Sequence, residues 1–103
     1  MLIKLLKSKI HRAIVTDANL DYEGSIAIDS DLMKSAKIQN YEKVHVLDIT
    51  NGARLETYAI PDTPGSKSIC INGDASQLIK TGDRVIILSY CKLDKYESNN
   101  NKP

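Results

Sequence analysis

The chain has no tryptophan and no phenylalanine, and its only aromatics are five tyrosines. Any core it builds must therefore be aliphatic, made of Ile, Leu and Val. It also lacks a surplus of either charge: 14 Lys and Arg stand against 13 Asp and Glu, a formal net charge of +1. Nucleic-acid binding usually shows a basic excess, and single-strand binding needs stacking aromatics, so neither mode is supported. Cysteine is scarce. Cys70 and Cys91 lie far apart in apolar settings, with no Cys-x-x-Cys or Cys/His cluster to suggest a metal. Two buried free thiols are the simpler reading, and one disulfide is the other. No apolar run is long enough to span a bilayer. Lys4 and Lys7 interrupt the N-terminal apolar stretch, which lacks the features of a signal peptide. The simplest location is the cytoplasm, with no membrane partner.

What is present reads mostly as β structure. The 103 residues suit one domain, expected over residues 1–93, with a polar, Asn-rich and disordered tail over 94–103. The N-terminal residues alternate, and Ile10 to Thr16 is rich in β-branched side chains. Asp17-Ala18-Asn19 reads as a turn, and Asp21 to Ile28 returns to extended structure. One short helix is expected, capped by Asp29, Ser30 or Asp31, with Leu32, Met33 and Ala36 on its apolar side and an end near Asn40. Tyr41 to Thr50 and Arg54 to Ile60 read as strands joined by Asn51-Gly52, the strongest two-residue hairpin signal. Ser68 to Ile71 is a short strand ending at a second tight turn, Asn72-Gly73. Ser76 to Lys80 suggests one helical turn, and Arg84 to Leu93 a buried last strand. Many short strands with tight turns predict a small closed β-barrel. Pattern alone does not order the strands.

Several residues invite a chemical reading. In Gly24-Ser25 a hydroxyl stands within reach of the carbonyl carbon just before it. Such a pair is ordinarily a plain turn. It can also be a bond that breaks itself, if the carbonyl is polarised and the backbone strained. Arg54 offers a fork for a carboxylate and Tyr58 a proton donor, and the two share a strand face. Thr57 falls on the opposite face by parity, so all three meet only if the strand bulges or the site wraps an edge. Asn72-Gly73-Asp74-Ala75 offers a side-chain amide and backbone N–H groups suited to an anion, or simply a type I′ turn. Lys4, Lys7, Lys9, His11 and Arg12 form a short cationic run with no acid. It reads first as a solvated strand edge, though Lys9 could bind a carboxylate.

Together, the runs Lys9-Ile10-His11-Arg12, Tyr22-Glu23-Gly24-Ser25, Thr50-Asn51-Gly52 with Arg54, Thr57, Tyr58 and Ala59, and Ile71-Asn72-Gly73 resemble the aspartate 1-decarboxylases. These are pyruvoyl enzymes that make β-alanine for pantothenate and hence coenzyme A. Linked motifs at matching spacing are far more specific than any one of them. The resemblance implies a mainly β, six-stranded double-psi β-barrel with one or two short helices. It implies a zymogen that cleaves itself between Gly24 and Ser25 into chains 1–24 and 25–103. It implies a homotetramer with active sites between subunits, L-aspartate as substrate and a maturation factor among the expected partners. The cofactor implied is a covalent pyruvoyl group derived from Ser25, with neither metal nor pyridoxal phosphate. By the same resemblance, Ser25 becomes the group that forms the Schiff base, Tyr58 the proton donor, and Arg54 and Lys9 the carboxylate clamps, Lys9 from an adjacent subunit. Thr57 assists cleavage through the Gly24 carbonyl and touches the substrate. Tyr22 and Asn72 line the pocket, and the backbone of Gly73, Asp74 and Ala75 forms the substrate-binding turn. Asp74 departs from the small residue common there. Two rival readings are an unprocessed or inactive relative and a non-enzymatic β-barrel binding module.

Overall fold

Alternating and β-branched runs become strands throughout the computed structural model, which describes residues 1–94. These are β1 (Leu2–Ile14), β2 (Asp17–Asn19), β3 (Ser25–Asp29), β4 (Lys43–Asp48), β5 (Arg54–Asp62), β6 (Ile69–Asn72) and β7 (Arg84–Asp94). One helix, α1 (Ser30–Ser35), and a 3-10 turn at Gly73–Gln77 complete the described elements. Of the tail expected over 94–103, Asp94 belongs to β7 and the rest lies outside the described residues.

The strand order is β1-β7-β4-β5-β3-β6-β2. The pairs β2–β6 and β3–β5 are parallel and the other neighbours antiparallel. β1 and β2 stand at opposite ends of that order, yet only Val15 and Thr16 separate them in the chain. Val15 N–H donates to Asp83 O at 2.9 Å, on the β7 side, and Thr16 N–H to Ile69 O at 2.8 Å, on the β6 side. One continuous run therefore joins the two ends of the sheet and closes it. Because β1 and β2 share that run, the six strand positions expected around the barrel appear as seven segments.

Three expectations change. Asp17-Ala18-Asn19 is not a turn but β2, paired with Cys70, Ile71 and Asn72. Tertiary pairing overrides a turn-prone composition there. Asn51-Gly52 is not a two-residue type I′ turn, because only Gly52 has positive φ, at 79°. The loop instead spans residues 49–53, and the Asp48 carboxylate organises it by accepting from Thr50 N–H at 2.8 Å and Asn51 N–H at 3.3 Å. The single helical turn lies at Gly73–Gln77 rather than Ser76–Lys80, since it starts where β6 ends.

Helix α1 is short and tied at its start. Asp29 Oδ1 accepts from Asp31 N–H at 2.8 Å as the cap. The same carboxylate accepts from Gly65 N–H at 3.0 Å and Lys67 N–H at 2.8 Å, which staples the 62–68 loop to the helix. Burial opposes the charge on Asp29, but these backbone donors hold its pKa below the ordinary value. The helix stops at Ser35, short of Asn40, with Met33 and Ala36 turned into the core.

The core is aliphatic, as the missing aromatics require. Ile26, Ile28, Val46, Ile71, Val85 and Ile87 are fully buried, each worth about 1.5–3 kcal/mol of apolar burial. One buried group is costly. Asp48 is 2% exposed, and no donor meets its Oδ2. Burial and the neighbouring Asp83 carboxylate both raise its pKa. Among the described residues, no helix is long and apolar enough to cross a membrane.

Candidate active site

Every residue of β3 is buried, because the strand is paired on both sides, with β5 and with β6. Ser25 opens that strand and is 3% exposed. A buried hydroxyl is unfavourable unless hydrogen-bonded. The β3–β6 register sets Ser25 opposite Asn72, and Asn72 Nδ2 donates to Ser25 Oγ at 3.0 Å. The Ser25 hydroxyl in turn reaches Glu23 O at 3.4 Å, a long contact that holds its proton loosely. On the other side of the amide, Cys70 Sγ donates to Asn72 Oδ1 at 3.2 Å. Cys70 and Asn72 are two residues apart on one strand and so share a face.

The glycine that the geometry constrains is not Gly24. Gly24 has no positive φ, and a Cβ there would meet nothing within 4 Å. Gly73 is held at both counts. Its φ is 76°, and a Cβ would lie 2.7 Å from Gly24 Cα, 2.8 Å from Gly24 N and 3.1 Å from Tyr22 O. The absence of a side chain at 73 therefore lets the Tyr22–Gly24 segment lie directly on the end of β6. Asn72 has φ −110°, so Asn72-Gly73 is not a type I′ turn either.

Around this contact lies a cavity of about 430 Å³, lined among others by Tyr22, Gly24, Thr57, Gly73, Asp74 and Ala75. Six of the expected site residues thus share one wall system, with Ser25 and Asn72 adjoining it. Asp74 is exposed at that cavity. A second cavity, of about 380 Å³, is lined by Tyr22, Ala27, Cys70 and Asn72 together with Asp17 and Asp62. Tyr22 therefore lines both cavities, and Asn72 the second.

The other expected residues lie apart within one chain. β5 pairs with β4 without a bulge, Arg54 opposite Leu47, Thr57 opposite Val44 and Tyr58 opposite Lys43. Parity holds, and Thr57 faces away from Arg54 and Tyr58. Arg54 is exposed at a smaller cavity with His45 and Tyr90. Tyr58 packs beside Tyr41, ring centroids 6.2 Å apart. Glu56, between them, is held by Lys43 Nζ at 2.8 Å and His45 Nε2 at 2.6 Å, which lower its pKa to about 2. Lys9 is exposed on β1 opposite Leu88. Among the described residues no carboxylate pairs with Lys9 or Arg54, so both cations remain available to an anion. His11 is exposed and accepts from the adjacent Arg12 Nε–H at 3.3 Å. No group of three metal-ligating side chains is assembled among the described residues.

The sequence reading did not single out Cys70 for this site. Its signal was the register: a polar side chain two positions before Asn72 on a paired strand. Both cysteines are free thiols, half-buried rather than buried.

Comparison with known proteins adds to the geometry. The family model described as aspartate decarboxylase matches residues 1–103. The aspartate 1-decarboxylase of Clostridium kluyveri is 55% identical over 103 residues, covering 100% of this chain and 81% of that protein. That of Clostridium novyi is 54% identical, covering 100% and 84%. That of Thermoanaerobacter pseudethanolicus is 59% identical over 99 residues, covering 96% and 85%.

Proposed function

The chain belongs to the aspartate decarboxylase family, and we propose that it makes its own catalytic carbonyl by cutting itself between Gly24 and Ser25. The reaction it catalyses is the decarboxylation of L-aspartate to β-alanine and carbon dioxide, which fits a role in pantothenate synthesis. The observation that carries the self-cleavage is the buried Ser25 hydroxyl, fed by the Asn72 amide at 3.0 Å while the Gly24 backbone rests on Gly73.

In the proposed cleavage Ser25 Oγ attacks the Gly24 carbonyl carbon. The Gly24–Ser25 C–N bond breaks and its nitrogen takes the hydroxyl proton, which leaves an ester and a free amine. Loss of the Ser25 Cα proton then breaks the Cβ–O bond. Gly24 departs as a carboxylate and residue 25 becomes dehydroalanine. Addition of water and loss of ammonia give the pyruvoyl group. The Asn72 N–H steadies Oγ as its proton leaves, while the charge of the attack itself falls on the Gly24 carbonyl oxygen. Thr57 shares a cavity wall with Gly24, and in this reading its hydroxyl polarises the carbonyl. When formed, the pyruvoyl ketone supplies an electron sink that condenses with an amine and takes up the charge left by carbon dioxide, with no separately bound cofactor.

The remaining roles belong to residues that one chain leaves apart. Arg54 and Lys9 hold the two substrate carboxylates, and Tyr58 returns a proton to the product carbon. We infer that the site lies between subunits of a homotetramer, with Lys9 contributed by a neighbour. The backbone of Gly73, Asp74 and Ala75 lines the substrate side.

Intact-mass measurement of the purified protein tests the cleavage. Two chains, 1–24 and 25–103, are expected, the larger lighter by one ammonia than a fragment beginning with serine. Ser25→Ala should remain one chain and lose decarboxylation with it. A wild-type chain that stays whole after long incubation would overturn spontaneous processing.

A further inference from the structure

We propose that Cys70 is a positioning residue for self-cleavage: its thiol proton holds the Asn72 carboxamide with the N–H side toward Ser25. This role presupposes the self-cleavage proposed above and concerns what sets its geometry.

A primary amide has a donating end and an accepting end, and a half-turn exchanges them. Asn72 is 4% exposed, so water does not choose between the two orientations. Its neighbours do. Nδ2 meets Ser25 Oγ at 3.0 Å and Oδ1 meets Cys70 Sγ at 3.2 Å. A hydroxyl can donate or accept, so Ser25 tolerates either end. A thiol donates weakly and its sulfur accepts poorly, so it favours the carbonyl end. Cys70 is therefore the partner that breaks the tie.

The surroundings keep that proton on sulfur. Burial raises the Cys70 pKa, and the carboxylates of Asp17 and Asp62 raise it further. A thiolate at this place would face the Asn72 oxygen without a proton between them. The consequence reaches Ser25. In the observed orientation an N–H points at the oxygen that carries negative charge once its proton leaves, on the way to attack. After a half-turn the negative end of a carbonyl dipole would point there instead. The strand pattern builds the relay with little freedom: Cys70 and Asn72 share a face of β6, and the β3–β6 register places Asn72 opposite Ser25.

The measurement is the rate at which newly purified full-length chain becomes 1–24 plus 25–103, followed by intact mass. Cys70→Ser keeps a donor but can also accept, so it leaves both orientations open and should process at a rate between wild type and the donor-free variants. Cys70→Ala and Cys70→Val remove the donor and should slow processing about fivefold to tenfold, the size expected from one hydrogen bond. Two donor-free variants of different volume guard against a packing defect, and thermal unfolding confirms that each is folded. In an Asn72→Ala background, Cys70→Val should slow cleavage no further. Equal rates for wild type and both donor-free variants overturn this role while leaving self-cleavage standing, as does additivity with Asn72→Ala. A wild-type chain that never cleaves removes the self-cleavage reading and this role together.

Discussion

Thr57 and Tyr58 are adjacent in the chain and look out on different parts of the molecule. On the Thr57 side of β5, one chain assembles a nearly continuous setting: the Gly24 backbone, the Gly73 cradle, and the buried Ser25–Asn72 pair behind them. On the Tyr58 side the strand presents an Arg54 without a carboxylate and a Glu56 already taken by Lys43 and His45. The chemistry expected of a bond that cuts itself is intramolecular, and its parts lie together. The chemistry expected of a bound substrate needs Lys9, Arg54 and Tyr58 with Ser25, and its parts do not meet in one copy. On the proposed roles, the Thr57 face carries all of maturation and part of substrate binding, while the clamps and the proton donor lie elsewhere.

The sharpest way to break that division is to mix two dead chains. Lys9→Ala should process but not decarboxylate, and Ser25→Ala should do neither. If Lys9 crosses to a neighbour's site, co-assembly should restore up to roughly a quarter of the wild-type activity per site, half the chains bearing the carbonyl and half their neighbours the lysine. Activity that stays at zero in verified mixed assemblies would place Lys9 elsewhere. Next in size, Arg54→Ala should leave the two-chain mass pattern unchanged and lower kcat/KM on the order of a hundredfold, the loss of one charge-assisted clamp. A processing defect in Arg54→Ala would merge the two faces. Gly73→Ala acts on the other side. The added methyl meets Gly24 at 2.7 Å with φ at 76°, so cleavage should slow and stability fall by about 1–3 kcal/mol, read by intact mass and thermal unfolding.

The smallest effect lies away from both faces. Asp48 has a pKa raised above its ordinary 3.8 by burial and by Asp83. The native state therefore binds that proton more tightly than the unfolded chain does. Its stabilising contribution is full below 3.8 and is lost as pH rises through the folded pKa. Asp48→Asn keeps an acceptor for Thr50 N–H, adds a donor for Asp83 and removes the titration. Its melting temperature should exceed wild type by a few degrees, about 2–5 °C, near neutral pH and by less in acid. An equal gain at both pH values would show that Asp48 carries no extra proton.

Much of this was legible in the chain. The β-branched run before Thr16, the Asp29 cap and the apolar Val85–Leu88 stretch announced strands and helix by local chemistry. So did the opposite facing of Thr57 and Arg54, which follows from strand parity and survives because β5 has no bulge. What misled was turn composition. Asp17-Ala18-Asn19 has a turn's residues but finds a partner strand in Cys70–Asn72, and no local rule foresees a partner 53 positions away. Asn51-Gly52 has a hairpin's residues, yet the Asp48 carboxylate takes up the loop's N–H groups and permits a longer path. Attention to Gly24 was similarly displaced. The steric demand falls on Gly73, because the constraint arises from two segments meeting rather than from either alone. Cys70 reads in the chain as a lone thiol, and only the fold brings it to the amide that faces Ser25.

The closing of the sheet bears on what a cut would leave behind. Residues 1–24 contain all of β1, laddered to β7 from Leu2 to Ile14, and all of β2, laddered to β6. Residue 25 begins a strand gripped on both sides. The proposed break thus falls between ladders and severs none of them. The short piece would stay woven into the wall as a non-covalent stave, and a mature particle would sediment as before while a denaturing gel resolved it into two bands. Only unfolding would part the pieces, and refolding from that state would become a reaction of two molecules instead of one.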